Sequence, residues 1–305
     1  MRRQLLVGIL IVGGVVLGAG LVVWAATSGL LGGPQAKARR VISLAQQDVQ
    51  HGDLTAAQTK LEAIANAQPE SAAADEALLR LGEVYEQQQQ LAPARATYAA
   101  LLERFPNSVY ATEAQTKLGS VNVALLLSPI VSDGDGVYMV KAGDSLGKIA
   151  AAQHTTVELL QKANGLKGNV IHPNQKLKIT KASFHIHVDK SQNRLLVTRD
   201  NAFFKAYIVS TGKDNSTPVG TFTIMNKVPN PVWYHEGAAV PADSPENILG
   251  TRWMGFNKAG YGIHGTTDPG ALGQQVTAGC VRMSNAEVEE LFSFIPVGTE
   301  VTIED

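Results

Sequence analysis

The stretch IHGTTDPGALGQQVTAGCVRM, residues 263–283, contains the only cysteine of the chain, Cys280. His264 precedes it with 15 residues between them, and glycines stand beside both, at positions 265 and 279. A thiolate is a strong nucleophile, and a nearby imidazole can lower the pKa of the thiol and carry its proton. Glycine lets a substrate approach the backbone, whose N–H groups can bind an oxyanion. The stretch therefore predicts nucleophilic catalysis rather than a cysteine buried as a small hydrophobe.

The residues around this stretch have the texture of β-structure. From Phe184 onward, apolar and polar residues alternate between turn-forming segments, and 288–295 is the one convincing helix. Arg282, two residues after the cysteine, can hold a carboxylate through two parallel hydrogen bonds or orient the loop. We therefore expect a β-rich domain over residues 182–305.

These residues resemble the YkuD-type L,D-transpeptidase family. The similarity covers residues 184–305 through STG (210–212), TPVGTFTI (217–224), YGIHGT (261–266), GCVRMSN (279–285) and PVGTEVTI (296–303). The resemblance implies that Cys280 is the nucleophile and His264 its base. The further oxyanion or substrate-positioning candidates are Gly279, which would orient the histidine through its backbone, Arg282, Gly265 and Thr277.

The chemistry implied by the resemblance is a two-step acyl transfer on peptidoglycan, without metal or cofactor. The cysteine attacks the L-to-D amide of a tetrapeptide stem, and an amine of a neighbouring stem then attacks the thioester. Water as acceptor would make the protein an L,D-carboxypeptidase, and a non-catalytic peptidoglycan-binding scaffold is a further alternative. The family often has Ser-His or Ser-Arg before Gly-Cys. Here Thr277 keeps the hydroxyl, whereas Ala278 loses the long polar side chain, which leaves substrate preference open.

Residues 137–181 predict a second, smaller module. The order strand, helix, helix, strand resembles a LysM module through VKAGDSLGKIA, LLQKANGL and IHPNQKLKI, and Thr155 or Thr156 can cap the second helix. The resemblance implies binding of N-acetylglucosamine-containing polymers, here peptidoglycan glycan strands. The glycan-binding candidates are Gly143, Asp144, Ser145, Asn164 and Pro173. Residues 125–136, with Pro129 and two glycines, predict a solvated linker before the module.

Residues 37–124 are rich in Ala, Gln, Leu and Glu and repeat at an offset of 37, since 52–71 aligns with 89–108. Paired helices with a proline turn at this period resemble tetratricopeptide repeats. Each helix pair hides its apolar face only against its neighbours. The stack could serve as a spacer or as a docking surface for a protein partner, and both interpretations stay open.

The first 36 residues predict a cytoplasmic tip, a transmembrane anchor and a short linker. Leu5 to Ala26 is a run of 22 apolar or glycine residues, long enough to span a bilayer and longer than the apolar core of most cleavable signal peptides. Arg2 and Arg3 favour a cytoplasmic N-terminus. This pattern predicts attachment to the cytoplasmic membrane, with the catalytic domain extracytoplasmic in the cell envelope.

The fold class predicted from the sequence is multidomain. It comprises an N-terminal transmembrane helix, all-α helical repeats, a small βααβ LysM module and a β-rich L,D-transpeptidase catalytic domain. The formal net charge of -1 offers no basic footprint for nucleic acid, so none is expected as a partner.

Overall fold

The 37-residue repeat of the sequence is found again as a repeat of helices. The computed structural model describes residues 33–67, 71, 73–235 and 237–305. Its first helices are α1 (Pro34–Gln50), α2 (Leu54–Ala67), α3 (Ala74–Gln87), α4 (Leu91–Arg104) and α5 (Ala111–Leu126). Helix α4 begins and ends 37 residues after α2, and α5 begins 37 residues after α3. The chain divides into two compact units, Met1–Ala114 and Gln115–Asp305.

In the first unit, helices α3 and α4 approach closely at Gly82. A Cβ there would lie 2.3 Å from Cε1 of Tyr98, whose ring fills the space that the glycine leaves. Tyr98 is fully buried, and its hydroxyl donates to Oε1 of Glu86 over 2.5 Å. Small and large residues thus interlock between the two helices, as expected of stacked helical repeats.

The predicted fold class included a transmembrane helix, and this part of the prediction is wrong. Within the described ranges, no helix combines the length and the apolar character needed to cross a membrane. The run Leu5 to Ala26, on which that prediction depended, lies outside the described residues.

The second unit contains the predicted βααβ module. Its elements are β1 (Asp135–Met139), α6 (Leu146–Ala152), α7 (Val157–Ala163) and β2 (Lys176–Thr180), with β1 and β2 antiparallel. The side chains of Ser145 and Thr156 accept the backbone N–H groups of Lys148 and Leu159, which caps the two helices. Of the two threonines proposed as caps, Thr156 is the one used.

Residues 125–136, which were expected to form a solvated linker, begin inside helix α5 and end on strand β1. They are not all solvated, since the Asp135 side chain is 0% exposed. The buried ammonium of Lys178 lies 3.3 Å from the Asp135 carboxylate and donates to the carbonyls of Leu125 (2.8 Å) and Ser128 (2.9 Å). Arg199, on a strand of the β-rich domain, pairs with the same carboxylate over 3.0 Å. Asp135 therefore ties the small module to the neighbouring domain.

The β-rich domain is built on an eight-stranded sheet and one helix. The strands and the helix α8 are β3 (Phe184–Asp189), β4 (Arg194–Arg199), β5 (Ala202–Ile208), β6 (Thr211–Gly212), β7 (Gly220–Pro229), β8 (Trp233–His235), β9 (Ala238–Val240), β10 (Arg252–Phe256), β11 (Gly262–His264), β12 (Gln275–Thr277), β13 (Val281–Arg282), α8 (Asn285–Phe294) and β14 (Glu300–Glu304). The order in the sheet is β13-β11-β10-β7-β14-β3-β4-β5. Strands β6 and β12 form a separate pair, as do β8 and β9.

The stretch that holds Cys280 and His264 lies at one edge of the large sheet. Strand β11 pairs with β10 on one side and, in parallel, with the edge strand β13 on the other. Ser210 and Arg282 exchange two backbone hydrogen bonds of 2.8 Å, which fastens β13 to the segment that leads into β6. The fold thus holds two distant parts of the sequence side by side at this edge.

Candidate active site

Cys280 lies immediately before the edge strand β13, next to β11. Because Ile263 pairs with Val281, the cysteine lies beside Gly262. Its Sγ is 3.4 Å from the carbonyl oxygen of Gly260, and the backbone of Gly262 also hydrogen-bonds to it. Burial raises the pKa of the Cys280 thiol above its ordinary value, and the bond from Gly262 offsets part of that rise. The thiol is therefore protonated at neutral pH.

His264 ends strand β11 and is 3% exposed. Its Nδ1 lies 2.7 Å from the carbonyl oxygen of Gly265. A carbonyl can only accept, so Nδ1 carries the proton and Nε2 keeps its lone pair. Burial lowers the pKa of His264 to about 4 and the charge of Arg282 adds to this, against hydrogen bonds to the backbone of Gly265 and Leu249 that raise it. The imidazole is therefore neutral at pH 7 and can accept a proton.

The strand register brings the nucleophile and the base candidates together. His264 pairs with Arg282 across β11 and β13. Residues two apart on a strand share a face, so Cys280 and Arg282 lie on the same side of β13. All three side chains line one cleft of about 1050 Å³. The predicted pair is thus joined in one pocket by the guanidinium that the sequence also singled out.

Thr277 and Gly279 shape the loop in front of the sulfur. The Thr277 hydroxyl donates to the carbonyl of Cys280 over 2.7 Å and accepts the N–H of Gly279 over 3.2 Å. Gly279 has φ +130°, and a Cβ there would lie 2.8 Å from Cε1 of Tyr261. Only glycine fits that backbone and that space.

His264 contacts the backbone of Gly265, and the orienting role expected of Gly279 stays a prediction. The backbone group that His264 reaches is the carbonyl of Gly265, directly after it in sequence. A Cβ at Gly265 would lie 2.2 Å from Oδ1 of Asn285, an oxygen that already accepts the N–H groups of Thr251 and Thr266. Gly265 is thus held rigidly in the place where its carbonyl can orient the ring.

Arg282 lines the cleft and has two side-chain nitrogens without a hydrogen-bond partner among the described residues. These two nitrogens, Nε and Nη2, are buried. Buried donors without partners are costly, and a guanidinium is suited to bind a carboxylate through two parallel bonds. The arrangement fits an anionic group supplied by a ligand.

Four of the five glycan-binding candidates make hydrogen bonds inside their own module, including Gly143, whose carbonyl accepts from Nζ of Lys148 over 3.0 Å. Asp144 accepts the N–H of Lys141 and the hydroxyl of Tyr138, and Ser145 caps α6. The Asn164 side chain bonds both the N–H and the carbonyl of Lys178 and reaches the carbonyl of Leu160. Gly143 and Pro173 are exposed. Glycan binding at these five residues stays a prediction.

Aromatic residues of the cleft were missed by the sequence analysis. Trp253 on β10 stacks on His264, with ring centroids 6.0 Å apart and planes at 23°. Trp233 and Tyr234, on the β8–β9 hairpin, line the same cleft. The run RWMGF before YGIHG has the composition of a strand, and it could have revealed the hairpin with β11.

Comparison with known proteins identifies the three modules. The L,D-transpeptidase catalytic domain matches residues 183–303, the LysM domain residues 138–180 and the tetratricopeptide repeat residues 76–108. These matches confirm the resemblances stated from the sequence.

Individual relatives are similar over the catalytic domain and beyond it. YqjB of Bacillus subtilis is 44% identical over 127 residues, 40% of this chain and 71% of that protein. YkuD of Bacillus licheniformis is 35% identical over 175 residues, 55% of this chain and 98% of that protein. Both are named as L,D-transpeptidases.

A solved L,D-transpeptidase from Mycobacterium smegmatis is 22% identical, covers 43% of this chain and 64% of its own, and has a TM-score of 0.34. The assignment does not depend on this likeness. It follows from the sequence relatives, whose lengths the chain covers largely or almost completely. The chain belongs to the YkuD family of L,D-transpeptidases.

Proposed function

We propose that this L,D-transpeptidase cross-links stem peptides of peptidoglycan through a thioester on Cys280, with His264 as the base. The observation that carries the proposal is the convergence of three groups in one cleft: a partly exposed thiol, a neutral imidazole whose Nδ1 is already bonded, and a guanidinium with two unpartnered nitrogens. These are the parts that acyl transfer to a cysteine requires.

The first step forms the acyl-enzyme. Nε2 of His264 accepts the Sγ proton of Cys280 while the sulfur bonds to the carbonyl carbon of the L-to-D amide. The C–N bond then breaks, and the imidazolium returns the proton to the leaving amine, which departs as the terminal D-amino acid. The low pKa of His264 makes its imidazolium a strong acid, which favours this return.

The second step transfers the acyl group. An amine of a neighbouring stem attacks the thioester carbonyl, and His264 takes up its proton. The C–S bond breaks and the sulfur leaves as a thiol, which restores the resting pair. Water in place of the amine would give an L,D-carboxypeptidase by the same steps.

The charge of the cleft favours an anionic donor. Among the described residues that line it, Arg282 is the one that carries a permanent charge, and none is Asp or Glu. Stem peptides carry free carboxylates, and the positive charge of Arg282 in the cleft would attract one. We assign Arg282 to substrate positioning rather than to proton transfer.

The LysM module supports an activity at the cell wall. The LysM domain indicates association with peptidoglycan, so the protein acts at the wall. We propose that the exposed residues Gly143, Ser145 and Pro173 contact glycan, whereas the side chains of Asp144 and Asn164 support the module's fold. The use of the helical repeats as a spacer or as a docking surface for a protein stays a prediction.

The proposal is tested by intact-protein mass spectrometry of the purified chain after brief incubation with a disaccharide-tetrapeptide. We expect a mass gain equal to the substrate minus its terminal D-amino acid, and no gain in Cys280→Ser. An adduct released only to water would support the carboxypeptidase. No adduct on a folded protein that still binds peptidoglycan would support the scaffold.

A further inference from the structure

Trp253 is placed where it can control the base. It lies on β10 directly opposite His264 in the antiparallel register with β11. The indole and imidazole planes differ by 23°, with centroids 6.0 Å apart. Both side chains line the cleft. The indole therefore lies against one face of the imidazole inside the cleft.

The position of the indole depends on the glycine beside the nucleophile. A Cβ at Gly262 would lie 3.0 Å from both Cη2 and Cζ2 of Trp253. Gly262 is also the residue whose backbone bonds to Sγ of Cys280. The missing side chain at this position thus lets a large aromatic ring approach the nucleophile and the base together.

We propose that Trp253 is a positioning residue that holds the His264 ring in its reactive plane and keeps water away from it. This inference rests on the proposed role of His264 as the base. Covering the ring preserves the two conditions that proton transfer needs here. Nδ1 stays on the carbonyl of Gly265, and Nε2 stays unprotonated.

The charged and titratable groups around the His264 ring do not provide this cover, so we assign the covering role to the indole. On the β13 side, the ring is subject to the charge of Arg282, and both Arg282 and Cys280 line the same cleft. Arg252 of β10 and Glu289 of α8 pair with each other at 3.9 Å. Burial is the largest cause of the lowered pKa of His264, ahead of the charge of Arg282. Removing the covering ring should therefore raise that pKa toward its ordinary 6.5.

The test compares Trp253→Leu with Trp253→Phe in the full chain. The NMR titration of the His264 ring, assigned by its loss in His264→Gln, is measured alongside the pH profile of kcat/KM. In Trp253→Leu we expect the titration and the acid limb of the profile to move up by about one pH unit or more. We also expect kcat/KM to fall at least about tenfold, a part of the ~100-fold or more that a positioned base contributes. Trp253→Phe, which keeps a ring over the imidazole, should retain most of both.

Trp233→Leu is the matched control, because Trp233 lines the same cleft but stacks on His235. It should leave the His264 titration in place. An unchanged titration in Trp253→Leu, or equal shifts in the Leu and Phe variants, would overturn the proposal. Should Trp253→Leu not fold, Trp253→Met keeps apolar bulk without a ring and is measured in the same way. The NMR titration of His264 needs no substrate, so it decides the role of Trp253 independently of acylation. Failure to form an acyl-enzyme would refute the proposed function without changing the result of the titration.

Discussion

The hydroxyl of Thr277 and the carbonyl of Cys280 lie 2.7 Å apart, and the same hydroxyl accepts the N–H of Gly279. One side chain therefore closes the turn that presents the sulfur. The turn includes Gly279 at φ +130°, a backbone conformation that residues with a side chain rarely adopt. The positioning role predicted for Thr277 has a physical basis in these two hydrogen bonds.

Thr277→Val should slow acylation without removing the nucleophile. Loss of a hydroxyl that satisfies two backbone groups costs about 1–2 kcal/mol, which corresponds to roughly a 5- to 30-fold lower rate. The measurement is the rate of the mass gain in a single turnover. Thr277→Ser keeps the hydroxyl and serves as the matched control. Acylation of the valine variant at the wild-type rate would show that the turn holds its shape without these bonds.

The cysteine should react slowly with a neutral alkylating agent at pH 7. Its pKa is raised by burial, and the pKa of His264 is about 4. The free protein therefore holds a neutral thiol beside a neutral imidazole, not an ion pair. We expect the rate of iodoacetamide alkylation, followed by mass, to rise through alkaline pH without a plateau between pH 5 and pH 8. His264→Gln should leave this dependence nearly unchanged. A plateau that begins near pH 5 would instead indicate a thiolate–imidazolium pair.

The buried ion pair of Asp135 and Lys178 should make the second unit sensitive to acid. Burial acts to raise the pKa of Asp135, but hydrogen bonds from Ser132 and the charge of Lys178 outweigh it, and the pKa is lowered. The carboxylate contributes its stability fully above its unfolded pKa, near 3.8, and loses it as the pH falls through the lower folded value. Stability should therefore drop below about pH 4. The measurement is the unfolding midpoint as a function of pH, followed by tryptophan fluorescence.

Asp135→Asn should remove this acid transition and destabilise the protein at pH 7. It leaves the cations of Lys178 and Arg199 without their shared counter-charge, which typically costs about 3–5 kcal/mol for a buried pair. Asp214→Asn makes the same chemical change at an exposed position and should stay within about 0.5 kcal/mol of the wild type. Similar midpoints for the two variants would show that the pair contributes little to stability.

Sequence patterns were sufficient to predict the features that depend on residues close together in the sequence. The offset of 37 in the sequence is the spacing of the helices. Thr156, one of the two predicted caps, does cap α7. The family motif named Cys280, His264 and Arg282, which the structure then places in one cleft. In each case the signal lies within a few neighbouring residues.

The features that were not predicted depend on contacts between residues far apart in the sequence. Trp253 reaches His264 only because β10 pairs with β11, and a period-2 pattern does not say which strands are neighbours. Asp135 was expected in a solvated linker because its neighbours are glycines, yet its partners Lys178 and Arg199 lie more than 40 residues away. Burial of a charge depends on such partners, which composition does not reveal.

Gly82→Ala should destabilise the helical repeats although alanine is the better helix former. The added Cβ would lie 2.3 Å from Cε1 of Tyr98, and overpacking of this kind costs about 1–3 kcal/mol, more than the gain in propensity of at most ~1 kcal/mol. Gly147→Ala in α6 has nothing within 4 Å of the new Cβ and should be neutral or stabilising. Thermal unfolding followed by far-ultraviolet circular dichroism measures both.

The cause can be separated from a general intolerance of this position by a second change. If the overlap with Tyr98 is responsible, Tyr98→Leu will make the Gly82→Ala substitution less costly, because the neighbouring ring is then absent. The two substitutions should therefore be non-additive, by about 0.5–3 kcal/mol as for other residues in contact. Additive effects, or a Gly82→Ala protein as stable as the wild type, would show that α3 and α4 can move apart at this position without loss.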